Sequence, residues 1–211
     1  SYGGLGFVAG YAINSIIENC HSGSNNQFVV NDLVFHYIYV GGVAGYTENC
    51  IVRNCSNISD VTIPHIDDNN YTGGVIGYAV NSQVIDCSNE GDVTCTDWVN
   101  DNQITQAIGG ICGNVDYTTI SGCYNEGNAS GADDVGGITG RVHSWSNTAV
   151  TIINCYNNGD ITGPYIAGGI VGVGYGMNNN LLYISNCFNT ATVLSQALNN
   201  PYGGTQEGYA G

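Results

Sequence analysis

A short glycine-rich phrase that returns at nearly fixed intervals constrains this chain more than any other feature. Gly6-Phe7-Val8-Ala9-Gly10-Tyr11 recurs as Gly41-Gly42-Val43-Ala44-Gly45-Tyr46 and as Gly73-Gly74-Val75-Ile76-Gly77-Tyr78. Shorter copies follow at Gly109-Gly110-Ile111-Cys112-Gly113, Gly136-Gly137-Ile138-Thr139-Gly140 and Gly168-Gly169-Ile170-Val171-Gly172. A Cys stands 14 residues after the first Gly in four copies (Cys20, Cys55, Cys87, Cys123) and 19 after it in two (Cys155, Cys187). Steps between these Cys are 35, 32, 36, 32 and 32 residues. An Ile or Val precedes each Cys by three positions, and Ser22, Asn57, Asn89, Asn125, Asn157 and Asn189 follow by two. Periods of this size belong to solenoids, in which one repeat makes one coil and buries its apolar face against the next.

Helical coils are excluded by the residues between the landmarks. Paired Gly, Asn-Gly and short β-branched runs make poor helices but good strands separated by tight turns. The expected fold is all-β: a right-handed parallel β-helix of about six coils of roughly 32 residues plus a truncated seventh. It forms a single β-solenoid domain over residues 1–211, with repeats starting near 6, 41, 73, 109, 136, 168 and 204. Equivalent strands then pair in parallel about 4.8 Å apart and equivalent side chains stack into ladders. The aliphatic residue and the Cys lie three apart, on opposite faces of a flat strand. If both point inward, the backbone must bend between them, and the Asn before most of the Cys is the natural place.

The joined Gly box and Asn-Cys-aromatic-Asn turn resembles the GLUG motif of bacterial surface proteins. Gly136-Gly137-Ile138-Thr139-Gly140 with Ile152-Ile153-Asn154-Cys155-Tyr156-Asn157-Asn158-Gly159 is one copy, and Gly168 to Gly172 with Asn186-Cys187-Phe188-Asn189 is another. The likeness runs from Gly6 to Leu194. Such repeats occur in large secreted or wall-attached proteins, among them adhesin-like proteins and non-catalytic parts of IgA-specific peptidases. The resemblance implies a stalk or display module and brings no catalytic residues with it. The first copy departs from the pattern at Phe7 and at His21-Ser22-Gly23.

Charge narrows the partners. Seventeen acidic residues against two basic ones, Arg53 and Arg141, give a formal charge of −15. Without Lys, neither nucleic-acid phosphates nor anionic lipid headgroups find the cations they need. No run of about eighteen apolar residues is present, so no membrane insertion is expected.

Four groups of residues are candidates for chemistry. Cys20, Cys55, Cys87, Cys123, Cys155 and Cys187 form a structural ladder whose parallel Cβ vectors favour free thiols over disulfides. Cys50 and Cys95 sit off that register and are the better candidates for an available thiol. Asp60, Asp92 and Asp160 stack in one column, and Asp67, Asp68, Asp133 and Asp134 precede Gly boxes; calcium is the cation such oxygen-rich turns would take, although no calcium-loop motif occurs. Without calcium these carboxylates form a solvated acidic edge and the chain carries no cofactor. Tyr124, Tyr156 and Phe188 form an aromatic column, and with Trp98 and Trp145 on inserted loops they are the candidate glycan contacts.

No nucleophile elbow, metal-protease motif or consistent His offset is present, so the chain is expected not to be an enzyme. The expected function is a non-enzymatic extracellular structural or adhesive β-solenoid at the cell surface, a stalk or a fibre subunit. Its partners would be the rest of a longer surface protein or further copies joined head-to-tail through open coil ends. The alternative is a carbohydrate-binding or polysaccharide-processing β-helix module.

Overall fold

In a computed structural model, residues 2–24, 26, 28, 37–64, 69–96, 106–131, 133–144, 148–176, 181–196 and 209–210 are described. They form a parallel β-solenoid, and no helix occurs among them. One turn is represented by five strands: Tyr37–Gly41, Ala44–Glu48, Ile51–Arg53, Ser56–Asn57 and Val61–Pro64. Each pairs in parallel with its equivalent in the next turn, building five sheets of seven, six, six, five and five strands. About five turns carry all five strands; the N-terminal turn has three and an isolated bridge from His21 to Ser56. The pairing register follows the repeat: Val52 faces Val84, then Ile120, Ile152 and Ile184.

The expected bend before each Cys is present. Asn19, Asn54, Asp86, Asn154 and Asn186 have φ between 51° and 56°, and Gly122 has φ of 65°. Asn and Asp tolerate this left-handed conformation better than other side chains. The bend turns both Val52 and Cys55 inward, as it does their equivalents in the next three turns, so an interval of three residues still buries both.

Two apolar cores run along the rod. One lies between the second and third sheets and holds Val43, Val52, Cys55 and their equivalents. The other lies between the first and fifth sheets and holds Ile38, Val40, Val61 and Ile63 with theirs. Between them runs a buried Asn ladder: Asn57 Nδ2 donates to Asn89 Oδ1 at 2.7 Å, Asn89 to Asn125 at 2.8 Å, and Asn125 to Asn157 and Asn157 to Asn189 at 2.7 Å. Each Nδ2 also donates to the carbonyl two residues on, as Asn125 does to Gly127 at 2.6 Å. A fully paired amide column satisfies groups that would otherwise destabilise a buried layer.

The ladder explains the Gly box. A Cβ on Gly42, Gly74, Gly110, Gly137 or Gly169 would collide with the Asn side chain of the same turn. Gly and Asn therefore form one contact, which is why they recur together in five turns whether 15 or 20 residues separate them. The N-terminal turn departs at both ends of that contact at once: Phe7 replaces the Gly and Ser22 replaces the Asn. Ser22 Oγ still donates to Asn57 Oδ1, so the smaller residue keeps the ladder's end satisfied. Phe7 stacks on Phe28 with ring centroids 4.0 Å apart.

Candidate functional site

The Cys column is buried through its middle and half-buried at Cys20 and Cys187, with every thiol free. From Cys55 to Cys187 each Sγ lies against the carbonyl two residues back and a carbonyl of the preceding turn: Cys55 is 3.2 Å from Arg53 O and 3.7 Å from Ile17 O. Burial holds the Cys112 and Cys123 thiols well above the usual thiol range. Cys50 and Cys95 correct an expectation. Both are buried, Cys50 in the first core and Cys95 in the second, because the residues flanking the turns also point inward.

The acidic column makes backbone contacts. Asp60 Oδ1 accepts from the N–H of Asp92 at 3.0 Å, Asp92 Oδ1 from Asn128 at 2.9 Å, Asn128 Oδ1 from Asp160 at 2.9 Å and Asp160 Oδ1 from Thr192 at 2.9 Å. Asn128 does the same work without a charge. Among the described residues no three His, Cys, Asp or Glu side chains gather as a metal cluster. Asp67, Asp68, Trp98 and Trp145 lie outside the described residues. Asp133 Oδ2 accepts from the N–H of Gln106 at 3.2 Å.

Tyr124, Tyr156 and Phe188 stack as a ladder on the fourth sheet, with centroids 5.0 and 5.2 Å apart and planes within 3° and 9° of parallel. Each inner ring face is therefore covered by its neighbour, leaving edges toward solvent.

A different set of side chains converges between the first and second sheets. These sheets approach closely along Gly45, Gly77, Gly113 and Gly140, where a Cβ would strike backbone atoms of the opposing sheet. Beyond this glycine row the facing columns fill a seam that runs along the rod. From the first sheet come Tyr39, Tyr71, Ala107 and Asp134; from the second come Tyr46, Tyr78, Asn114 and Arg141. The next outward column is Glu48, Val80, Asp116, His143 and Tyr175.

The N-terminal half of the seam is aromatic. Tyr39 stacks on Tyr71 at 5.8 Å and meets Tyr78 edge-on at 5.2 Å. The C-terminal half is ionic. Arg141 Nε donates to Asp134 Oδ2 at 2.5 Å, and both side chains are nearly buried. Burial pushes the Asp134 carboxyl up, and Arg141 pulls it back. Tyr78 donates to Asp116 Oδ2 at 2.7 Å, and burial raises Asp116 to about 6 despite that bond. His143 is lowered to about 4, first by burial and then by Arg141, so it is neutral at neutral pH. Asn114 Oδ1 and Asp116 Oδ1 are buried with no hydrogen-bond partner; the nearest His143 nitrogen is 3.6 Å from the latter.

The sequence does not single out this seam. Its members come from turns with unlike residues at each register position, so only the superposition of coils brings Asp116, Asp134, Arg141 and His143 together. Asp134, one of the carboxylates named for an oxygen-rich calcium turn, is paired with Arg141.

The architecture defines the chain as a parallel β-solenoid repeat protein. The GLUG motif model matches residues 36–62 and 68–94, so two of its coils are GLUG repeats. No curated protein and no solved structure matches the chain.

Proposed function

We propose that this chain is a non-enzymatic structural or adhesive β-solenoid of the cell exterior, coiled right-handedly and serving as a surface stalk or fibre subunit. The observation that carries this reading is the unbroken Asn57–Asn189 ladder, which clamps five successive turns through buried side-chain hydrogen bonds. A rod whose turns are stapled through their centre resists shear between coils, as a stalk requires. Right-handedness follows the general preference of parallel crossover connections. Further coils, of the same protein or of another copy, would cover ladder positions such as Ile184 and Phe188, which are 47% and 55% exposed.

Negative-stain electron microscopy of the purified chain, with and without calcium and reductant, tests the proposal. Uniform short rods or long unbranched filaments are expected. Compact isometric particles, or a fall in viscosity when the chain is mixed with a neutral polysaccharide, would overturn it.

A further inference from the structure

We propose that Tyr124 and Tyr156 are a site of oxidative cross-linking, where a one-electron oxidant of the peroxidase type joins the two rings into dityrosine and rivets one turn of the rod to the next. The proposal goes beyond the stalk reading and does not depend on it.

The backbone holds the pair ready. Tyr124 and Tyr156 are register partners on the fourth sheet, and the residues after them, Asn125 and Asn157, point inward into the central ladder. Alternation along the strand therefore sends both phenols to the outer face, where each is half-buried. Their centroids lie 5.0 Å apart with planes within 3° of parallel, so equivalent carbons of the two rings are one strand spacing apart. A tilt of the rings about their side-chain bonds brings the carbons beside the hydroxyls together, and side chains with an edge in solvent reorient readily. The stack ends at Phe188, 5.2 Å beyond Tyr156, whose ring has no hydroxyl and gives no phenoxyl radical. The site therefore takes two tyrosines and no third.

The chemistry balances with hydrogen peroxide as the terminal oxidant. Each phenol loses one electron and its hydroxyl proton, leaving two phenoxyl radicals. Their ortho carbons form one C–C bond, and the hydrogen on each of those carbons moves to the phenolic oxygen, restoring both phenols. The two electrons and two protons removed reduce one peroxide to two waters.

Other routes to a covalent link between turns are less open. Cys123 and Cys155, which precede the two tyrosines, are buried and unbridged. In the seam, Tyr39 and Tyr71 are 4% and 8% exposed, Tyr71 and Tyr78 meet edge-on with planes 73° apart, and the Tyr78 hydroxyl is bonded to Asp116. An oxidant acting from outside meets the edges of Tyr124 and Tyr156 more readily than these rings.

The scarcity of basic residues supplies a clean test. Trypsin can cut only after Arg53 and Arg141, giving fragments 1–53, 54–141 and 142–211, and Tyr124 and Tyr156 lie on opposite sides of the second cut. The full chain is treated with a haem peroxidase and hydrogen peroxide, and the monomer is isolated, reduced, alkylated, unfolded and digested. Fragments 54–141 and 142–211 are expected to remain joined, with the fluorescence of dityrosine and a mass two hydrogens below their sum. Reduction removes any disulfide but not this bond. A link between Tyr2 and Tyr37, which also stack, stays within fragment 1–53 and is not confused with it. Tyr124→Phe and Tyr156→Phe are each expected to abolish the joined species, whereas Tyr165→Phe leaves it in place. Phe188 already occupies the same register position, so these variants keep the ladder and the fold. No joined fragments after oxidation, or joined fragments that persist in either ladder variant, would overturn the proposal. So would dityrosine found only between separate chains. Rods seen by microscopy alongside any of these failures would leave the stalk reading standing.

Discussion

The two halves of the seam occupy equivalent positions on one scaffold and solve the same packing problem in opposite ways. Where Tyr39, Tyr71 and Tyr78 meet, the space between the sheets is filled by rings, which need little from their surroundings beyond contact. One and two turns on, Asn114, Asp116, Asp134, Arg141 and His143 bring charge into the same slot. The sixth turn then reverts: Ile166 follows Asp134 in register and Val173 follows Arg141. A solenoid therefore tolerates either chemistry at one register position, provided each turn satisfies its own polar atoms. The ionic half does not fully do so, and that is what marks it.

The largest effect should come from breaking the ion pair. Arg141→Ala leaves Asp134 charged, nearly buried and alone, and should cost about 3–5 kcal/mol in chemical denaturation. Replacing both partners by the residues of the following turn, Asp134→Ile with Arg141→Val, should instead be neutral or stabilising by about 1–4 kcal/mol. A double variant as unstable as the single one would mean that the pair supplies net stability, and the two halves would then differ in energy as well as in chemistry.

The aromatic half should respond to volume alone. Tyr71→Ala removes a ring that is 8% exposed and packed against Tyr39 and Tyr78, and should cost about 3 kcal/mol. A control beneath both halves sharpens the contrast. Asn89→Ala and Asn157→Ala each interrupt the central ladder and leave buried partners unpaired, so both should cost about 2–3 kcal/mol by the same melts. Unequal costs at these two sites would show that the overlying seam changes the ladder.

These regions were unequally legible in the sequence. The repeat fixed the strands, the Cys column and the bend at Asn54 because stacked coils force the same residue into the same environment again and again. The pairing of Gly42 with Asn57 is visible as a joint recurrence at 15 or 20 residues, though its cause, a side chain occupying the space of a missing Cβ, requires the fold. The seam was hidden for the opposite reason. His143 and Arg141 each occur once at their register positions, and a periodic reading discounts residues that do not recur. Cys50 and Cys95 mislead in the same way: an offset outside the main column suggests an available thiol, whereas a turn of this solenoid points several registers inward.

The smallest effect is a pH dependence that only the ionic half can show. Asp116 faces Tyr46, Tyr78 and His143; His143 faces Asp116, Asn114, Arg141 and Tyr175. The fold raises Asp116 from its ordinary carboxyl value to about 6, so its contribution is present at low pH and is lost as pH rises toward 6. The fold lowers His143 from 6.5 to about 4, so its contribution is present at neutral pH and is lost as pH falls from 6.5 toward 4. Over this shared window the two slopes oppose one another, each at most about 1.4 kcal/mol per pH unit. Asp134, raised in the same direction as Asp116, adds to the carboxylate side. Asp116→Asn should therefore shift the balance toward His143, so that stability falls more steeply on acidification than in the parent chain. His143→Gln should leave the carboxylates alone and make stability rise as pH drops through the same range. Urea melts at half-unit steps between about pH 4 and 7 distinguish these outcomes. Equal changes in both variants would mean that the pair does not titrate in the fold, and the unpaired oxygen of Asp116 would then have to be satisfied in some other way.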